Sequence, residues 1–203
     1  KRPEKLDVIV YRENTEDIYM GIEWAANDPV GKELREHLNN NVIPANGKLG
    51  DRKIKIGSGI GIKPVSKIGS QRHIRKAIEH ALRLEGKKRH VTLVHKGNIM
   101  KFTEGAFRDW GYELATSEFR ESCITERESW VLENADNNRD ISIENNAKMI
   151  DPGYLALTEE KKESICQEVK SVIESIGKTH GSGRWEDLVM VDDRIADSIF
   201  QQI

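Results

Sequence analysis

VTLVHKGNIMKFTEGAFRDWGYELA, residues Val91 to Ala115, is the stretch whose reading decides the fold. Val91-Thr-Leu-Val94 reads as a short buried strand. It stops on His95-Lys-Gly-Asn98, and the amphipathic pattern that follows predicts a helix over Thr103–Phe119. A strand that runs through a polar turn into a helix is half of an α/β unit. Lys96 would then sit at the edge of a sheet, where α/β proteins place ligands. Desolvation or a nearby cation can bring a lysine pKa down from about 10.4, so that the amine accepts a proton. Gly97 would let backbone approach closely, and Asn98 could orient an oxygen. The alternative is a surface turn with a solvated lysine.

Working outward, the same alternation recurs. Ser66–Leu84 predicts a helix with Ile74, Ala77, Ile78, Ala81 and Leu82 on one face, ended by Gly86. Leu6–Tyr11 reads as a buried strand, and Ile18–Trp24 as another, rich in β-formers. Residues 30 to 40 are a weaker helix pattern, Pro44–Gly50 a loop, and Asp51–Lys63 β-structure broken by glycines. From Ser122 to about Trp185 the chain turns polar and helix-prone with little strand signal. Ile165, Val169, Val172, Ile173 and Ile176 form an apolar stripe there, behind Thr158 as a helix cap and with Gly177 beginning the end. This stretch reads as an insertion, by default a surface or interface element. Asp187–Val191 returns to strand, and Arg194 opens a last helix. The order predicts α/β architecture.

Composition bounds the partners. The chain has 203 residues, 37% hydrophobic and 33% charged, with 32 basic and 34 acidic residues for a net charge of −2. No strong field for nucleic acid or an anionic membrane follows. No apolar run approaches the ~20 residues that span a bilayer, and no signal-peptide pattern is legible. Two cysteines, Cys123 and Cys166, read as reduced thiols of a cytoplasmic protein. The six histidines do not pair with them at zinc-ligand spacing. The chain opens without methionine and closes on an uncapped helical pattern, so a piece of a longer protein is expected.

Other residues carry chemistry in two ways. Arg12 and Tyr19 would lie roughly 23 Å apart on extended chain, so one site for both needs the turn that Glu13-Asn-Thr-Glu-Asp17 can make. A guanidinium there suits a carboxylate-bearing ligand; an ion pair and a packed strand tyrosine are the alternative. Gly57-Ser-Gly-Ile-Gly-Ile-Lys63 departs from a nucleotide loop and reads as glycines in a strand or bulge. Asp192 and Asp193 read as helix-start caps. Asp197, four residues beyond Asp193 on the same predicted helix face, is left as a metal-binding candidate.

Three blocks then carry a resemblance. Arg12-Glu-Asn-Thr-Glu-Asp-Ile-Tyr-Met-Gly-Ile-Glu-Trp24, His95-Lys-Gly-Asn-Ile-Met-Lys-Phe-Thr-Glu-Gly-Ala-Phe-Arg-Asp-Trp-Gly-Tyr112 and Ile195-Ala-Asp-Ser-Ile-Phe-Gln-Gln-Ile203 resemble signature stretches of prokaryotic isocitrate dehydrogenases. The segment between the last two resembles the insertion of the cyanobacterial form. The resemblance implies an isocitrate/isopropylmalate dehydrogenase-like α/β fold: a small domain over residues 1–16 and 66–203, with about 122–186 as a helical insertion, and a β-rich clasp over 17–65, the large domain missing. It implies NADP and Mg²⁺ or Mn²⁺ as cofactors and a homodimer joined through clasp and small domain. Arg12 would bind a substrate carboxylate, and Tyr19 would protonate the enol. Lys96 would assist proton removal from the substrate hydroxyl. Asn98 would contact substrate, and Asp197 would bind metal. Gln201 and Gln202 would lie near the cofactor. Lys96 and Asp197 would reach the other subunit's site, while Arg12 and Tyr19 serve their own. The implied reaction is oxidative decarboxylation of isocitrate to 2-oxoglutarate. Homoisocitrate, tartrate or isopropylmalate are alternative substrates, NAD is an alternative to NADP, and the isolated piece is expected to be an inactive dimerisation module.

Overall fold

The computed structural model describes residues 7–85, 89–179 and 184–202, and they divide into two compact units. Residues 12–69 form the first. Strand β1 (Glu23–Trp24) pairs antiparallel with β2 (Ile60–Gly61), Trp24 opposite Ile60. Between them helix α1 (Pro29–His37) starts where Asp28 accepts the backbone N–H groups of Val30 at 2.8 Å and Gly31 at 3.1 Å, with proline at the first turn. A wider turn at Leu38–Val42 leads to the short α2 (Ile43–Ala45). The Asn39 amide substitutes for a strand neighbour, donating to the Ile54 carbonyl at 2.9 Å and accepting from its N–H at 2.8 Å. The helix expected over 30–40 is present. The strand expected over Ile18–Trp24 is not: Asp17–Met20 is a 3-10 turn, and only Glu23 and Trp24 pair. Left-handed backbone at Asp17 (φ 61°) and Gly21 (φ 63°) brackets that turn and breaks the extended run. Of the β-structure expected over Asp51–Lys63, only Ile60–Gly61 forms.

Residues 7–11 and 70–202 belong to the second unit. Its order is α3 (Lys67–Arg83), β3 (His90–His95), α4 (Glu104–Ser117), β4 (Cys123–Thr125), α5 (Glu126–Asn137), α6 (Ile143–Ile150), α7 (Glu159–Thr179), β5 (Val189–Ile195) and α8 (Ala196–Gln202). The three strands form a parallel sheet in the order β3-β5-β4, with Val191 opposite both Val91 and Thr125.

Helices pack on both faces of this sheet, on the second face over β4 and β5, while Val94 of β3 stays exposed. On one side Ile74, Ile78 and Ala81 of α3 and Leu114 and Ala115 of α4 pack with Val91, Leu93, Cys123, Val189 and Val191. On the other, Val131, Leu132, Ala147, Ile150, Val169, Val172 and Ile176 gather with Ile124, and Met190 packs against them. Cys123 and Ile124 are neighbours in sequence and face opposite cores. Each fully buried branched side chain contributes about 1.5–3 kcal/mol.

This corrects the expectation for 122–186. The segment supplies the edge strand β4 and the helices that cover the second face, so it is half of the core and not a surface appendage. Thr125 starts α5 with a reciprocal cap: its hydroxyl accepts from the Glu128 N–H at 3.2 Å, and Glu128 accepts from the Thr125 N–H at 2.9 Å. Helix α7 continues through Thr179, past Gly177. Strand β5 runs on to Ile195, so Asp192, Asp193 and Arg194 are strand residues, neither caps nor a helix start. Leu6 and Gly86 lie outside the described residues. Asp7–Tyr11 joins no strand, and Val8, Ile9 and Val10 are exposed, because no described strand lies beside them to pair with.

Candidate active site

In a parallel sheet every strand delivers its last residues to the same edge. At that edge β3 ends at His95, with Lys96 the next residue, and β5 ends at Ile195, two residues before Asp197. The Lys96 ammonium and the Asp197 carboxylate form an ion pair 101 residues apart in sequence. Asp197 is well exposed, and Asn98 lies exposed in the same turn as Lys96. The backbone of that turn is held from several directions. The Lys96 N–H donates to Glu104 Oε2 at 2.8 Å, and the N–H groups of Ile99 and Met100 both reach the Lys96 carbonyl at 3.0 Å. A Cβ on Gly97 would stand 2.9 Å from Gly105 Cα, so turn and helix α4 touch backbone to backbone.

Beneath Lys96 lies a polar network. His95 is 2% exposed, and its Nδ1 accepts the Gly97 N–H at 2.9 Å. Nε2 therefore carries the proton and donates to Asp193 Oδ2 at 2.9 Å. Asp193 Oδ1 accepts the Tyr112 hydroxyl at 2.6 Å. Burial pushes the Asp193 carboxyl up, but the bonds from Tyr112 and His95 outweigh it and leave the group below its ordinary value. Burial and that same bond raise the Tyr112 phenol far above the usual range. Next to it Arg194 grips Glu126 through two bonds of 3.0 and 2.7 Å and stands 3.2 Å from Asp192, which raises its pKa further.

Arg12 and Tyr19 belong to the first unit and meet there. The Arg12 guanidinium lies 5.2 Å from the Tyr19 ring centre, and both side chains are exposed. The intervening chain turns as its composition predicts. The Glu13 carboxylate accepts the N–H groups of Asn14, Thr15 and Glu16 at 3.0, 2.6 and 3.0 Å, and the Thr15 hydroxyl at 2.7 Å. Burial raises its pKa, but the bonds from Thr15, Glu16 and Asn14 together outweigh it and bring it down to about 2. Glu16 accepts from the Ser66 N–H at 2.9 Å, and Asp17 pairs with Lys63.

Five of the expected positions thus fall into two local groups: Lys96, Asn98 and Asp197 at the sheet edge, and Arg12 with Tyr19 on the turn. Gln201 and Gln202 lie on α8, and their side chains are outside the described part. Among the described residues no three metal-binding side chains cluster, so Asp197 by itself does not make a metal site. Sequence reasoning gave His95 and Tyr112 no role and read Asp193 as a helix cap, where the structure makes it a strand residue bonded to both. A histidine at the end of an apolar strand was the signal available.

A parallel sheet with helices on both faces, and with a lysine, an amide and a carboxylate gathered at its carboxyl edge, is an α/β domain of the class that places ligands at that edge. Residues 1–175 match the family described as Isocitrate/isopropylmalate dehydrogenase, and the chain belongs to it. It is 63% identical over 203 residues to the isocitrate dehydrogenase [NADP] of Nostoc sp., covering 100% of this chain and 43% of that protein. It is 64% identical over the same 203 residues to that of Synechocystis sp., again covering 43% of it. With that of Staphylococcus epidermidis it shares 38% identity over 203 residues and 38% of that protein. The chain therefore spans less than half the length of the curated relatives it matches. None of its described helices is long and apolar enough to cross a membrane.

Proposed function

We propose that this chain is the part of an NADP-dependent isocitrate dehydrogenase that supplies two half-sites for oxidative decarboxylation of isocitrate to 2-oxoglutarate. The observation that carries the reading is the Lys96–Asp197 pair, an amine and a carboxylate brought together by adjacent parallel strands at a sheet edge. Similarity over every residue of the chain to proteins named isocitrate dehydrogenase [NADP] supports it.

The roles follow from residue chemistry. Arg12 holds a substrate carboxylate through paired hydrogen bonds, and Asn98 orients a substrate oxygen. Lys96 assists removal of the hydroxyl proton; NADP⁺, when bound, would supply the hydride acceptor for that carbon. The carbon–carbon bond to the β-carboxylate then breaks, releasing carbon dioxide. Tyr19 returns a proton to the enol to give the product. Asp197 would offer Mg²⁺ or Mn²⁺ one of its about six oxygen ligands. Gln201 and Gln202 would approach the cofactor.

We also assign the assembly. Residues 17–65 are a clasp between two copies, and 1–16 with 66–203 a small domain. Among the described residues 12–69 no apolar side chain is buried, while Ile56, Ile18 and Val30 are exposed. A unit with that surface gains from a second copy against it. Free thiols at Cys123 and Cys166 suit a cytoplasmic enzyme. On its own the chain is expected to be a half-site module without turnover, in keeping with its share of the relatives' length.

The test uses full-length chains containing this sequence. Tyr19→Phe and Lys96→Met homodimers should each lose about 10²- to 10⁴-fold in kcat. If Lys96 serves the other subunit's site and Tyr19 its own, a hybrid of the two variants holds one intact site and regains activity. A hybrid as inactive as its parents refutes the shared site; full activity in Lys96→Met refutes its role.

A further inference from the structure

We infer that His95, Asp193 and Tyr112 are positioning residues that fix the 96–98 turn, and through it Lys96, for proton transfer; the inference rests on the reading of Lys96 given above. A lysine has a flexible four-carbon stem, so its placement depends on where its backbone is held. Here the Lys96 N–H is held by Glu104, and the next N–H, that of Gly97, by His95 Nδ1.

The imidazole that does this has no side-chain exposure. A buried imidazole is costly unless both nitrogens are bonded, and a hydrocarbon would fill the same space without that requirement. Both nitrogens are bonded, one to the turn and one to Asp193. Asp193 is in turn fixed by the Tyr112 hydroxyl from α4. The network therefore ties β3, β5 and α4 to one backbone N–H beside the lysine. Gly97 packs against Gly105 and His95 with no room for a side chain, so a shift of the imidazole moves the turn.

Full-length chains containing this sequence provide the test. His95→Asn keeps an acceptor where Nδ1 stands; His95→Gln reaches toward Asp193 and loses it. Hydrogen exchange of a peptide covering residues 96–98, read by mass spectrometry, should be about tenfold faster in His95→Gln than in His95→Asn. The kcat for isocitrate should be about tenfold lower in His95→Gln than in His95→Asn, with KM within about twofold, and the gap should vanish in a Lys96→Met background. Equal exchange and equal kcat in the two variants, with Lys96→Met impaired, overturn the inference alone. So does a gap that persists undiminished in Lys96→Met, since the network would then act on the fold and not through the lysine. If Lys96→Met alone leaves kcat intact, the reading of Lys96 fails first and the inference falls with it. Should both His95 variants fail to fold, Tyr112→Phe carries the test: a kcat loss of about threefold or more that disappears in Lys96→Met supports the inference, and no loss overturns it.

Discussion

Gly97→Ala tests the packing under the lysine turn without reference to catalysis. The new Cβ would lie 2.9 Å from Gly105 Cα, 2.9 Å from His95 Nδ1 and 3.1 Å from Gly105 N. Two of these atoms are backbone at the start of α4. The third belongs to a ring whose two nitrogens are both engaged. None is the free end of a flexible side chain, so the turn itself must move. Overpacking of this kind costs about 1–3 kcal/mol. The alanine narrows the unfolded ensemble and returns about 0.4–1 kcal/mol. If the turn withdraws far enough to break the bond from the Gly97 N–H, about 1 kcal/mol more is lost. The expected net destabilisation is about 1–3 kcal/mol. Urea unfolding followed by circular dichroism and by tryptophan fluorescence measures it, with Gly47→Ala as the reference. A Cβ on Gly47 meets nothing within 4 Å, so that variant should stay within about 0.5 kcal/mol of the parent. A Gly97→Ala protein as stable as Gly47→Ala would refute the reasoning.

Two further outcomes concern titration. The Glu13 carboxyl sits at about 2 against an ordinary 4.5, so its stabilisation is complete above pH 4.5 and is lost as pH falls through about 2. The parent's advantage over Glu13→Gln, below about 1 kcal/mol for so solvated a group, should be constant near neutrality and smaller at pH 3; urea titrations in which the gap widens on acidification contradict this. Burial pushes the Cys123 thiol up to about 12, against weak opposition from Arg120 and Arg89. At pH 8 only about one thiol in 10⁴ is ionised, so iodoacetamide should label Cys123 only when urea opens the fold, and rapid native labelling would contradict the burial.

What was legible in the sequence was what depends on periodicity. The stripe from Ile74 to Leu82 and that from Ile165 to Ile176 each fixed a helix and its buried face, because 3.6 spacing repeats over several turns. Val91–His95 was readable as a strand because its short run is apolar; Val91, Leu93 and His95 are buried on one face, while Val94 on the other is exposed. Cys123–Thr125 was missed since three residues show no period. β5 was cut short because Asp192, Asp193 and Arg194 look unlike a strand; partners distant in sequence, His95 and Tyr112 for Asp193 and Glu126 for Arg194, make those charges acceptable there, with Arg194 beside Asp192. Val8–Val10 shows the reverse error: an apolar run was read as buried, yet its cover is not among the described residues. At the site, chemistry pointed to Lys96 and Arg12. The tautomer of His95 could not be read from sequence, because it depends on which backbone N–H faces Nδ1.

The middle strand of the three is the last to be made. Val191 pairs with Val91 and with Thr125, so among the described strands neither β3 nor β4 has a neighbour until residues 189–195 have left the ribosome. Up to then α3 and α4 can collapse on β3, and the helices of residues 126–179 on one another, as two halves waiting for their shared seam. Such distant pairing is slow, and it makes the arrival of β5 the moment at which this sheet either zips shut or offers its open slot to another chain.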